Sequence, residues 1–140
     1  MKKIIILFLT LFFAFSIQAQ ESQAKATEYL EIGNKLLKQK KYESAIINFS
    51  KAIELNPEEV EAYAYRGLAK YHLKKYTEAI EDYDIALVLK EGYAEVYNLR
   101  GIAKGELGDK KGSCEDWYQA YYHGFNDSYR LIKKFCEEKK

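Results

Sequence analysis

Small, aromatic and aliphatic residues return along this chain at one long interval. Gly33, Gly67 and Gly101 stand 34 residues apart, twice in succession. Four residues before each glycine is a tyrosine: Tyr29, Tyr63 or Tyr97. Twelve after it comes Ala45, Ala79 or Ser113; sixteen after, Phe49, Tyr83 or Trp117; nineteen after, Ala52, Ala86 or Ala120. A unit of that length holds two helices of about 12 to 15 residues and two tight turns. The polar segments 39–42, 74–76 and 108–111 supply turns inside the units, and Asn56-Pro57 is expected to restart a helix with proline in its first turn. The pattern predicts an all-α fold of three helical hairpins, over residues 26–59, 60–93 and 94–127. Glycine on the first helix faces Ala or Ser on the second, so the backbones approach, while the aromatic residue fills the wider end. One hairpin cannot bury both of its faces, so the units must stack.

The ends of the chain differ from this middle. Lys2 and Lys3 precede an apolar run over residues 4–15, followed by Ser16-Ile17-Gln18-Ala19. The run is shorter than the roughly 20 residues needed to span a bilayer. Residues 1–19 therefore read as a secretory signal peptide cut after Ala19, with an uncleaved anchor as the alternative. No cysteine follows the cut, which disfavours a lipoprotein and points to a soluble periplasmic or extracellular product without a membrane span. Residues 20–25 read as a short polar linker, leaving one flank of the first hairpin exposed and open to homo-oligomerisation. Residues 127–138 read as a capping helix, with Leu131, Ile132 and Phe135 on its apolar face.

Composition adds exclusions. The chain has 140 residues, one proline and eight glycines, enough for one domain and unlike a disordered or collagenous chain. The net charge is +1, from 22 basic and 21 acidic residues, and becomes −1 once Lys2 and Lys3 leave with the leader. Both signs are interspersed, so the basic face that nucleic acid requires is absent from the pattern. No nucleophile, general base or close Cys/His spacing converges on a catalytic or metal site, and His72 and His123 fall in different units. The expectation is a non-enzyme without cofactor or metal.

At the aligned residues the chain resembles the tetratricopeptide repeat (TPR) family, whose unit reads W-x2-L-G-x2-Y, then A-x3-F, A and P. The first unit follows it most closely, with Tyr29, Ile32, Gly33, Ala45, Phe49, Ala52 and Pro57. The second has Arg66 and Glu91 in place of the aliphatic residue and proline. The third has Arg100, Ser113, Trp117 and Gly124-Phe125. The resemblance covers residues 26–125 and implies an α-α superhelix that binds protein or peptide. The segment 108–114 is also similar to repeats common in Bacteroidetes.

Helix geometry, at 100° per residue, separates a second stripe on each first helix from the packing residues. The resemblance makes this stripe the lining of a concave groove. It comprises Thr27, Leu30, Asn34, Leu37 and Lys38; then Glu61, Ala64, Leu68, Tyr71 and His72; then Glu95, Asn98, Ile102, Gly105 and Glu106. Its apolar strip with surplus glutamate suits an apolar segment or helix carrying basic residues; alternatively, part of the strip is buried between helices. The clamp by which some family members grip an acidic C-terminal tail is matched only by Asn34. Leu30, Tyr65, Glu95 and Leu99 occupy its other positions.

Two further pairings are expected. Arg66 and Arg100 are each followed sixteen residues later by an acid, Asp82 and Asp116, whereas the first unit has Ile32 and Asn48. This covariation within the chain suggests structural ion pairs between the helices of a hairpin. Cys114 and Cys136, the only two cysteines, can form a disulfide between the third hairpin and the cap, or stay buried thiols. The function expected is a scaffold or adaptor in the cell envelope. The alternatives are an accessory or small-ligand-binding subunit of an envelope enzyme or transport system, and a self-associating structural module.

Overall fold

The computed structural model describes residues 2–137. Residues 1 and 138–140 lie outside the described residues, and with them the first position of the expected leader and the last of the expected cap. The helices run in the order α1 Lys2–Lys38, α2 Tyr42–Leu55, α3 Val60–His72, α4 Tyr76–Leu89, α5 Ala94–Glu106, α6 Lys110–Tyr122 and α7 Ser128–Leu131, followed by a π-helical turn, Ile132–Cys136. The described residues contain no strand. Each helix packs on its neighbours in the chain, and α1 touches α3 as α3 touches α5. The first helices of the hairpins thus line one layer and the second helices another.

Each hairpin closes on its glycine. Ala45, Phe49 and Ala52, then Ala79, Tyr83 and Ala86, are wholly buried; Ser113, Trp117 and Ala120 repeat the arrangement with at most 5% exposure. A Cβ added to Gly33 would stand 2.5 Å from the Phe49 ring, at Gly67 2.7 Å from Tyr83, and at Gly101 2.8 Å from Trp117. At Gly67 and Gly101 it would also lie 3.1 Å from the carbonyl oxygens of Ala79 and Ser113. Backbone meets backbone there, and no side chain fits between.

The turns within hairpins share one geometry. Lys40, Lys74 and Gly108 hold left-handed φ values of 60°, 62° and 82°. The amide of each donates to the carbonyl three residues back, and the next amide donates five residues back, as in Lys41 to Leu36, Lys75 to Lys70 and Asp109 to Lys104, each 3.0 Å. This double bond ends each helix by satisfying its last carbonyls. Between hairpins, Asn56 accepts from the Glu58 amide at 3.1 Å, and α3 begins at Val60. Pro57 therefore lies in the turn ahead of the helix rather than in its first turn, because the Asn56 side chain holds the preceding residues in a turn.

Two segments differ from expectation. Residues 20–25, expected as a linker, belong to α1, which runs unbroken for 37 residues. Nothing in Gln20-Glu21-Ser22-Gln23-Ala24-Lys25 breaks a helix. Ser22 donates to the Leu55 carbonyl at 3.0 Å, and Lys25 pairs with Glu21 at 2.6 Å. No helix among the described residues is long and apolar enough to cross a membrane. The tail, expected as one regular helix, has only one α-turn before the π-turn, where the Glu137 amide reaches back to the Ile132 carbonyl at 3.2 Å. The wider turn keeps Ile132 buried while Cys136 meets Cys114 in a disulfide with Cα atoms 5.7 Å apart.

Packing at the glycines and strain at the turns give opposite expectations for substitution. Gly67→Ala is expected to lower stability by about 1–3 kcal/mol despite alanine's better helix propensity, because the Tyr83 ring and the Ala79 carbonyl must both move. Lys74→Gly is expected to raise stability by roughly 0.5–1 kcal/mol, because the left-handed conformation costs a side-chain-bearing residue more than glycine. Chemical denaturation of the two variants checks both signs.

Candidate functional site

The charged residues on the first helices fall into two sets with different surroundings. Arg66 donates from Nε and Nη2 to the two Asp82 carboxylate oxygens at 3.0 and 2.7 Å, and from Nη1 to Ser50 Oγ at 3.0 Å. Arg100 makes the same fork to Asp116 at 2.9 and 2.6 Å, and reaches Asp84 at 2.6 Å. Each arginine therefore ties both helices of its own hairpin to the second helix of the hairpin before. Lys70 and Lys104 add a second cation to Asp82 and Asp116, at 2.9 and 2.8 Å. Burial works against the Arg100 charge, but the bonds to Asp116 and Asp84 outweigh it and hold its pKa above the ordinary value. Asp82 and Asp116 are nearly inaccessible, and the arginines that cover them are largely buried, so both pairs lie between the helices.

The other set lies on the inner layer and is uncompensated. Glu61, Glu95 and Glu106 have no ion-pair partner among the described residues; Glu106 accepts a hydrogen bond from the Tyr71 hydroxyl at 3.3 Å. Their field is visible in the tyrosines beside them. Tyr65 and Tyr71 are shifted up, first by burial and then by Glu95 and Glu61 in one case and Glu106 in the other. Tyr93 is pushed up to about 12 by burial, then by Tyr65, Glu95 and Glu61.

The expected groove residues divide between this surface and the core. Ala64 is 2% exposed and Asn98 8%, and Asn98 accepts from Ser128 Oγ at 3.1 Å, so one packs α3 and the other holds the tail. Leu30 and Leu37 pack on the cluster of Ala45, Phe49 and Ala69, and Tyr71 packs on the neighbouring one around Tyr83. Burial of these residues follows from packing on the second helices, the next hairpin and, at Asn98, the tail: a stripe on a lone helix wheel meets neighbours once the hairpins stack. Leu68 and Ile102 remain half-buried; Glu95, Thr27 and Lys38 are exposed. His72 is exposed and stacks on Tyr42 at 4.7 Å, and Asn34 and Lys38 line a shallow open recess. Ile102, Gly105 and Glu106 open instead into a cavity of about 410 Å³ whose far walls are Trp117, Leu131 and Phe135. The wheel reached the near wall of this cavity but not the far one, since α6 and the tail converge only in three dimensions.

The comparisons agree with this architecture. Residues 30–94 match the tetratricopeptide repeat family profile. The first TPR of Spaghetti (RPAP3), bound to the HSP90 peptide SRMEEVD, is 28% identical, with 81% of this chain and 92% of that chain covered and a TM-score of 0.79. The first TPR domain of human RPAP3 is 27% identical over 80% of this chain and 90% of that chain, with a TM-score of 0.76. The second TPR domain of human RPAP3, in complex with the HSP70 peptide SGPTIEEVD, is 23% identical over 86% and 99%, with a TM-score of 0.75, and shares the fold. No curated protein matches the chain. The described residues form an all-α, TPR-like array of helical hairpins, six helices with a short helical tail.

Removing one partner of the buried fork is expected to cost more than exchanging both. Asp82→Asn should lower stability by about 3–5 kcal/mol, since Arg66 and Lys70 are left facing a neutral amide. The double variant Arg66→Ile/Asp82→Asn, which copies Ile32 and Asn48 of the first hairpin, should recover most of that loss. Thermal unfolding of the pair checks this; equal losses in both variants would contradict it.

Reduction should act on the tail. Cys136→Ser, or reductant added to the wild-type protein, is expected to cost about 2–4 kcal/mol of stability. The Trp117 emission should change with it, because Phe135 lies 5.7 Å from the Trp117 ring.

Proposed function

We propose that this chain is a non-catalytic adaptor that holds a segment or helix of a partner protein in the groove lined by α1, α3 and α5, and that it works in an oxidising compartment of the cell envelope after export by residues 1–19. The observation that carries the groove is the row of uncompensated glutamates, Glu61, Glu95 and Glu106, beside the half-buried Leu68 and Ile102. Unpaired carboxylates along an apolar strip favour a ligand that brings apolar side chains and positive charge.

The likeness to peptide-bound TPR domains supports peptide binding, and the charges change its specificity. The peptides in the RPAP3 complexes carry the acidic sequences EEVD. An acidic tail entering here meets Glu95, Leu30, Tyr65 and Leu99 at the clamp positions, with Glu61 nearby, and the carboxylates discriminate against it. The Cys114–Cys136 disulfide supports the oxidising location, since thiols stay reduced in the cytosol.

Crosslinking and mass spectrometry on envelope extract identify the partner, and its binding segment then serves as the ligand for variants. Leu68→Glu and Glu95→Lys, each checked for wild-type circular dichroism, are expected to weaken that segment at least tenfold, about 1.4 kcal/mol. Wild-type binding should also weaken as salt rises. Unchanged affinity in both folded variants would remove the groove from the function.

A further inference from the structure

The third hairpin lacks a side chain where the other two have one. Leu37 and Tyr71 occupy equivalent positions near the ends of α1 and α3, and each packs on the core between its own hairpin and the next helix. The equivalent residue of α5 is Gly105. The space that side chain would fill is the cavity of about 410 Å³ between Ile102, Trp117, Leu131 and Phe135. Its far wall is the tail, clamped to α6 by the disulfide and to α5 by Ser128 on Asn98. The tail itself stands where a fourth hairpin would begin, with Leu131 and Phe135 at the positions of Tyr97 and Gly101. Phe135 lies against Trp117 of α6, ring centroids 5.7 Å apart, and the recess stays open beside the two rings.

We infer that this recess is the anchor pocket of the groove, taking one leucine- or tyrosine-sized side chain of the bound segment in place of the missing side chain at position 105. The inference rests on the peptide-binding reading above and names the feature of the peptide that the site selects. The volume suits one bulky side chain rather than a whole ligand. Glu106 stands at the near edge, its carboxylate unpaired by any cation among the described residues, and Glu95 lies one helix length away on the same helix. Basic residues flanking the anchor therefore meet carboxylates along α5. Lys110 stands on the opposite lip, so the favoured site for the cation is the Glu106 side.

Gly105 makes the pocket testable without disturbing the fold. It is exposed and helical without a left-handed φ, and an added Cβ meets only Ser113 Oγ, at 3.3 Å. Gly105→Leu restores the residue type of the first hairpin and gains helix propensity. The probe is the tripeptide acetyl-Lys-Leu-Lys-amide, with acetyl-Lys-Gly-Lys-amide as its control, followed by nuclear magnetic resonance on the full chain. The leucine peptide should shift the Gly105 amide and the indole N–H of Trp117, the chain's single tryptophan, and saturate in the millimolar range. The glycine peptide should not. Gly105→Leu should melt at or above the wild-type temperature and bind the leucine peptide at least tenfold more weakly. Equal binding by Gly105→Leu, or equal shifts from the glycine control, would overturn the pocket. Longer basic peptides selected by display on the wild-type protein test the reading beneath it. Selection of none removes the groove function, whereas selected peptides that Gly105→Leu binds as tightly as wild type remove only the anchor.

Discussion

Every higher level of this structure depends on one contact, an aromatic ring pressed against a helix backbone that carries no Cβ. Phe49 on Gly33, Tyr83 on Gly67 and Trp117 on Gly101 set how closely the two helices of each hairpin approach. A small residue opposite the glycine and a large one beside it form a wedge, and the wedge sets the crossing angle. Three similar wedges give three similar hairpins, and similar hairpins stack with their first helices in a common layer. The inner surface is a product of this repetition.

Polar groups reinforce the stack from between the helices. Each arginine fork joins three helices across a hairpin boundary, and its aspartate is satisfied by two cations. Those cations are consumed in the interior. Glu61, Glu95 and Glu106 have no ion-pair partner among the described residues, and burial together with their field raises the tyrosines around them. The charge pattern among the described residues is thus segregated: compensated between the helices, acidic along the stripe of Glu61, Glu95 and Glu106.

The repeat also explains its own ending. The tail begins as a fourth unit, with Leu131 in register with the earlier tyrosines, but carries Phe135 where close packing requires glycine. A π-turn shapes it and a disulfide holds it to α6. A capped end with a recess results, where the earlier repeats are filled.

Within the chain itself, the 34-residue phase determined the three hairpins, their turns and their core, because each depends on contacts between residues at fixed offsets in one unit. The pairing of Arg66 with Asp82 and Arg100 with Asp116 was legible for the same reason: both partners lie in one repeat and change together in the first. The tertiary structure alone decided which stripe residues are buried and which stay exposed. Ala64 and Asn98 share a wheel angle with Leu30, yet both are buried, because the spacing between successive first helices and the docking of Ser128 are not properties of one helix. The same holds for residues 20–25, which looked like a linker and are helix, and for the wall of Trp117, Leu131 and Phe135. Local spacing encodes what lies within a repeat; what lies between repeats, and at the end where the repetition stops, is set by packing.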